Sequence, residues 1–125
     1  MPDIAVLDIA VIGAGRIGRI HAGNIAAHPG ARLAGIADTD EAAAGRLAAS
    51  LGTRTLSVAD AMRADAVLIA SPTPTHADYI EQAAAARRAV FCEKPIDLSA
   101  NRVRACLEAV RRAGVLLMVG FNRRF

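Results

Sequence analysis

Gly13, Gly15 and Gly18 stand at the GxGxxG spacing, directly after the apolar run Ile9-Ala10-Val11-Ile12 and directly before a stretch with helical periodicity. That pattern is suited to holding a dinucleotide. Gly13 permits a tight turn, Gly15 lets the backbone approach a pyrophosphate with no side chain between them, and Gly18 lets the new helix pack close to the strand. Binding then falls to the helix start, around Arg16 and Ile17, where unpaired N–H groups and the positive end of the helix dipole face the phosphates.

Asp38 lies 20 positions beyond Gly18, at the end of a second apolar run, Ala31 to Ala37. At the tip of a second strand a carboxylate can accept hydrogen bonds from an adenosine ribose. Taken alone, Asp38 reads equally as an N-cap or turn aspartate before a helix near Glu41. The glycines in register favour the ribose role. An anionic side chain there repels a 2′-phosphate, which points to NAD rather than NADP, although Thr39 and Arg16 pull the other way.

These residues need a scaffold, and the rest of the chain supplies its pattern. Short apolar runs alternate with longer helical stretches from end to end, as in a parallel sheet with helices on both faces. The expected strands are Asp8 to Ile12, Arg32 to Ala37, Thr53 to Leu56, Ala66 to Ala70, Ala89 to Cys92 and Leu116 to Gly120. Helices are expected at Ile17 to Ala27, Glu41 to Ser50, Val58 to Met62, Ala77 to Ala86 and Ala100 to Arg112. Ser99 and Gly114 punctuate the last of these as N-cap and C-terminal glycine. With right-handed crossovers, the fold class is α/β, a doubly wound parallel sheet of Rossmann type, strand order 3-2-1-4-5-6, over one domain spanning residues 1–125.

Ligands of such sheets bind at the carboxyl ends of the strands. After the fourth strand comes Ser71-Pro72-Thr73-Pro74-Thr75-His76, whose prolines fix the backbone and whose hydroxyls face the crevice. After the fifth comes Glu93-Lys94-Pro95, and after the sixth Gly120-Phe121-Asn122-Arg123-Arg124-Phe125.

Together with Gly13-Ala14-Gly15-Arg16-Ile17-Gly18 and Ala37-Asp38, these segments resemble the family of glucose-fructose oxidoreductase, inositol dehydrogenase and the rhizopine catabolism protein MocA. The resemblance covers the entire chain as that family's N-terminal domain. The sequence from Gly120 to Phe125 looks most like the inositol 2-dehydrogenase branch. The resemblance implies that Lys94 is the catalytic lysine, hydrogen-bonded to the reacting hydroxyl or carbonyl of a polyol near the nicotinamide, with Pro95 in the cis form. As a donor, Lys94 can stabilise negative charge developing on the substrate oxygen. Glu93 is expected either at the nicotinamide ribose or paired with Lys94. His76 is expected on the cofactor side or satisfied by local backbone, and Ser71 at the cofactor. Thr73 is expected at a ribose or the pyrophosphate, or as a rigid turn residue, and Arg123 at substrate or in solvent.

Members of the family continue into a second α/β domain that carries most substrate contacts, the oligomer interface and an Asp/His pair whose histidine is the general base. That domain is absent from this sequence. His21 and His28 are expected in the opening helix, away from the strand ends, so no proton acceptor is apparent. The expected function is the coenzyme domain of an NAD-dependent polyol or sugar dehydrogenase, inositol 2-dehydrogenase-like and inactive alone. A non-enzymatic nucleotide-binding or interaction module, and an NAD-assisted hydrolase or epimerase, remain open.

Bulk properties narrow the partners. The net charge of +3 is small, and with no Trp and one Tyr the chain lacks the basic, aromatic-studded surface of a nucleic-acid binder. No apolar run is long enough to cross a bilayer, and Met1-Pro2-Asp3 lacks the basic start of a secretory signal, so a cytoplasmic location is expected. Cys92 and Cys106 have no metal or redox spacing and read as buried thiols. Exposed apolar surface predicts homo-oligomerisation or self-association.

Overall fold

The first strand to form a ladder, β1 (Leu7–Ile12), lies at the inside of the sheet and carries the glycine turn at its end. The computed structural model describes residues 5–120. Within them β2 (Ala31–Ala37), β3 (Ala66–Ile69), β4 (Ala89–Glu93) and β5 (Leu117–Gly120) complete a sheet of order β2-β1-β3-β4-β5, and every pair is parallel. The helices are α1 (Arg16–Ala27), α2 (Glu41–Ser50), a short α3 (Val58–Ala61), α4 (His76–Ala85) and α5 (Ala100–Ala113).

One expected strand is missing from the ladder. Thr53 to Leu56 lies beside β2, on the expected edge, but makes only an isolated parallel bridge, Ile36 to Thr55. Two backbone hydrogen bonds hold it, from Ile36 N–H to the Arg54 carbonyl and from Leu56 N–H to the Ile36 carbonyl. The expected six-strand order 3-2-1-4-5-6 is therefore corrected to five strands, with the expected third reduced to this bridge. A bulge explains the loss: the β1–β2 register slips between Ile9 and Ala10, so that Leu33 and then Gly35 are paired and Ala34 is skipped. Leu56 packs onto the bare Gly35, where a Cβ would stand 2.5 Å from its Cγ. Ser57 then caps α3 and carries the chain out of the sheet.

Both faces of the sheet are covered because neighbouring residues on a strand point to opposite sides. Val11, Leu33, Ile36 and Leu68 meet Ala22 and Ile25 of α1 and Leu47 of α2. Ile12, Val67, Ile69 and Val90 meet Ile80 of α4 and Val110 of α5. Buried aliphatics of this size contribute about 1.5–3 kcal/mol each, which makes the sheet the rigid platform for whatever its ends carry. Cys92 and Cys106 lie in the second cluster, and burial pushes their thiols up to about 12 and about 11, which makes them poor nucleophiles. Ser99 caps α5 by accepting from Arg102 N–H, and Gly114 ends it in the left-handed conformation at φ 68°.

The chain turns from β1 to β2 on one side and later returns to β3 on the other. That reversal places the crevice at the carboxyl ends of β1 and β3.

Candidate nucleotide site

Two of the three glycines answer to the protein's own packing. Gly13 has φ 114°, and a Cβ on it would lie 2.6 Å from the backbone of Ala70. A Cβ on Gly18 would lie 1.8 Å from the Gly13 carbonyl oxygen. Gly15 is different. Its φ is −76° and its Cβ would meet nothing within 4 Å, so no contact inside the chain excludes a side chain there. What a side chain would occupy is the open space at the start of α1.

Gly15 is also the N-cap of α1 and offers no side-chain acceptor, whereas Asp40, Ser57 and Ser99 cap α2, α3 and α5 with oxygen atoms. The first-turn N–H groups of Arg16, Ile17 and Gly18 are thus left to an outside acceptor. Alongside lies a cleft of about 520 Å3 between α1 and α2, bordered by Arg16, Arg19 and Arg46. None of these three has an ion-pair partner among the described residues, which gives the cleft a positive field.

Asp38 occupies the neighbouring strand tip. Its Oδ2 accepts from Ala14 N–H at 2.7 Å, inside the glycine turn, and its Oδ1 accepts from Asp40 N–H at 2.8 Å. The N-cap of α2 is Asp40, which accepts from Ala43 N–H. Asp38 therefore closes its own turn and also fixes its carboxylate against the glycine loop. Each carboxylate oxygen can take a further donor, as a ribose diol would offer. Uncapped amides, a glycine with open space above it and a locked acid beside it fit a dinucleotide.

The second corner lies after β3 and β4. Ser71 Oγ and Thr75 Oγ1 are 2.7 Å apart, and Thr75 Oγ1 donates to the Pro72 carbonyl, so the loop is braced internally. Thr73 begins the following 3-10 turn, and its hydroxyl makes no hydrogen bond among the described residues. His76, the first residue of α4, is buried. Its Nδ1 lies 2.7 Å from the Pro95 carbonyl and its Nε2 2.6 Å from the Ser71 carbonyl. Each ring nitrogen faces a backbone carbonyl, one in each loop, so the ring clasps the two loops together.

Glu93 makes no ion pair with Lys94 among the described residues. His21 Nε2 lies 2.6 Å from its Oε1, across 72 residues of sequence, and the His21 ring meets Phe91 edge-on with centroids 5.3 Å apart. The expectation that His21 stays away from the strand ends is thereby corrected. Gly18, Ala22 and Ile25 form the buried face of α1, and His21 follows Gly18 by three residues, so helical period turns it toward β4. That spacing was the available signal. Lys94 is exposed, its peptide bond to Pro95 is cis, and it is the only lysine in the sequence against 14 arginines. Arg123 lies outside the described residues.

Among the described residues no helix is long and apolar enough to cross a membrane, and no cluster of metal-ligating side chains occurs. A family model described as "Oxidoreductase family, NAD-binding Rossmann fold" matches residues 7–121. The chain is 51% identical over 118 residues to an inositol 2-dehydrogenase of Rhizobium meliloti, covering 92% of this chain and 36% of the relative. It superposes on the crystal structure of a myo-inositol dehydrogenase from Corynebacterium glutamicum with a TM-score of 0.86 and 44% identity, covering 96% of this chain and 37% of that one. It also superposes on scyllo-inositol dehydrogenase from Lactobacillus casei, solved with bound NAD(H) and scyllo-inositol, with a TM-score of 0.88 and 31% identity, again covering 96% and 37%.

Proposed function

The chain belongs to the oxidoreductase family with an NAD-binding Rossmann fold, and on that premise we propose that it seats the coenzyme of a dehydrogenase acting on a secondary alcohol of an inositol-like polyol or a sugar. The observation that carries this is the open space above Gly15, beside the uncapped start of α1 and the carboxylate that Ala14 N–H holds in place. Bound NAD supplies the hydride acceptor. The residues of the chain do the rest of what can be assigned. First-turn amides of α1 bind the pyrophosphate, with Arg16 adding charge, and Asp38 accepts from the adenosine ribose. Ser71 and Thr73 line the crevice on the side of the nicotinamide, and His76 sets their loop rather than touching the coenzyme.

Lys94 is the catalytic residue of this reading. Its ammonium donates to the substrate oxygen, where negative charge grows as the hydroxyl proton is removed and is spent in forming the carbonyl as hydride leaves the carbon for NAD, and with Arg123 it contacts the polyol. A general base is required to take the hydroxyl proton. Among the described residues His21 and His76 are both engaged and His28 lies at the far end of α1, where its Nδ1 accepts from Gly30 N–H, so the 125-residue chain is proposed to bind coenzyme without turning over polyol. A cytoplasmic location and association between copies belong to the same proposal.

Calorimetry with NAD and NADP tests it. NAD should bind at least about tenfold more tightly than NADP, because Asp38 repels a 2′-phosphate. Equal binding of the two, or binding of neither, overturns the coenzyme assignment. NADH absorbance in the presence of NAD and myo-inositol should stay flat, and steady growth would overturn the proposed inactivity.

A further inference from the structure

Lys94 is flanked in the chain by two residues that are each held by a histidine from a different helix. Glu93 before it is held by His21 of α1, Nε2 to Oε1 at 2.6 Å. Pro95 after it is held at its carbonyl by His76 of α4, at 2.7 Å. The Glu93 carboxylate lies beside Gly120 of β5, which leaves it room that a larger residue would narrow, since a Cβ there would stand 3.2 Å from Oε2. The His21 and Glu93 side chains are 24% and 23% exposed, so water screens the pair only in part. Phe91, two residues before Glu93 on the same face of β4, meets the His21 ring edge-on and limits its rotation.

These contacts join two parts of the site that the backbone alone leaves separate. The start of α1 is where the pyrophosphate would be bound, and the end of β4 is where the lone lysine stands. His21 lies just over one turn into α1, so its bond to Glu93 ties both to one frame. We propose that His21 is a positioning residue for Lys94, acting through Glu93 and setting the lysine relative to the phosphate-binding end of α1. This rests on the coenzyme reading above for its consequence, but not for its geometry. A charge-assisted hydrogen bond between a helix and a strand end is the only polar link between α1 and β4 among the described residues.

The test uses the sole lysine as its own reporter. Reductive dimethylation with isotope-labelled formaldehyde gives one lysine side-chain NMR signal, that of Lys94. His21→Ala and Glu93→Gln should move that signal, and His21→Gln, which keeps a donor, should return it most of the way. In calorimetry His21→Ala should weaken NAD about fivefold to tenfold while AMP, which lacks the nicotinamide half, stays within about twofold. His21→Gln should restore NAD to within about twofold of the parent. The proposal is overturned if the lysine signal and NAD affinity both ignore His21→Ala, or if NAD and AMP weaken together, which marks a general structural role. A parent chain that binds neither nucleotide defeats the coenzyme reading, and the lysine signal then decides the positioning role by itself.

Discussion

The two corners of the nucleotide edge are built from different materials. At the β1–β2 corner the acid, Asp38, is gripped by two backbone N–H groups, those of Ala14 and Asp40, within a turn whose shape Gly13 and Gly18 set. At the β3–β4 corner the acid, Glu93, is gripped by the side chain of His21, and the adjoining loops are clasped by the side chain of His76. A backbone grip is fixed by the path of the chain and is lost only when that path changes. A side-chain grip can be deleted one residue at a time. The first corner is therefore the more invariant seat, and the second is where the position of a reacting group can be adjusted.

That contrast can be broken most forcefully at Gly18. Gly18→Ala should cost about 3 kcal/mol or more of stability in urea unfolding, and abolish NAD and AMP binding together, because its Cβ has no place beside the Gly13 carbonyl. A variant that unfolds like the parent would mean that the turn can relax and that the first corner is not backbone-determined. At the other corner, His76→Ala should cost about 2–3 kcal/mol by leaving two carbonyls and a buried space unfilled. Its AMP affinity, read at a temperature where it is folded, should change little; a collapse of AMP binding would show that the corners are not separable.

Smaller changes sharpen the picture. Asp38→Asn should weaken NAD about tenfold and narrow the preference over NADP, with a stability loss of about 1 kcal/mol, since an amide oxygen can still accept from Ala14 N–H but the amide NH2 cannot accept from the exposed Asp40 N–H. A large stability loss instead would make Asp38 a structural turn residue first. Ser99→Ala, remote from either corner, should cost about 1 kcal/mol from the α5 cap and leave both nucleotides binding as before.

Much of the first corner was legible beforehand because its causes are local. A GxGxxG spacing after an apolar run acts through the turn itself, where Gly18 packs on the Gly13 carbonyl five residues earlier, and outside that corner the Ser before α5 and the Gly after it act just as locally. The missing edge strand was not legible, because its loss follows from a bulge in β2 that no periodicity in Thr53 to Leu56 records. Neither was the pairing of Asp38 with two backbone N–H groups, one on each carboxylate oxygen, since one of them comes from the glycine turn 24 residues earlier.

What the sequence by itself determined is the alternation of strands and helices, the glycine turn with its acid at the next strand tip, and the buried state of the two thiols. Those follow from residue size, period and short-range bonding. Only the tertiary structure decided that His21 meets Glu93 across 72 residues and that His76 spans the Ser71 and Pro95 carbonyls. Such partners are chosen by which strand lies beneath which helix, and that is a property of sheet order rather than of any stretch of chain.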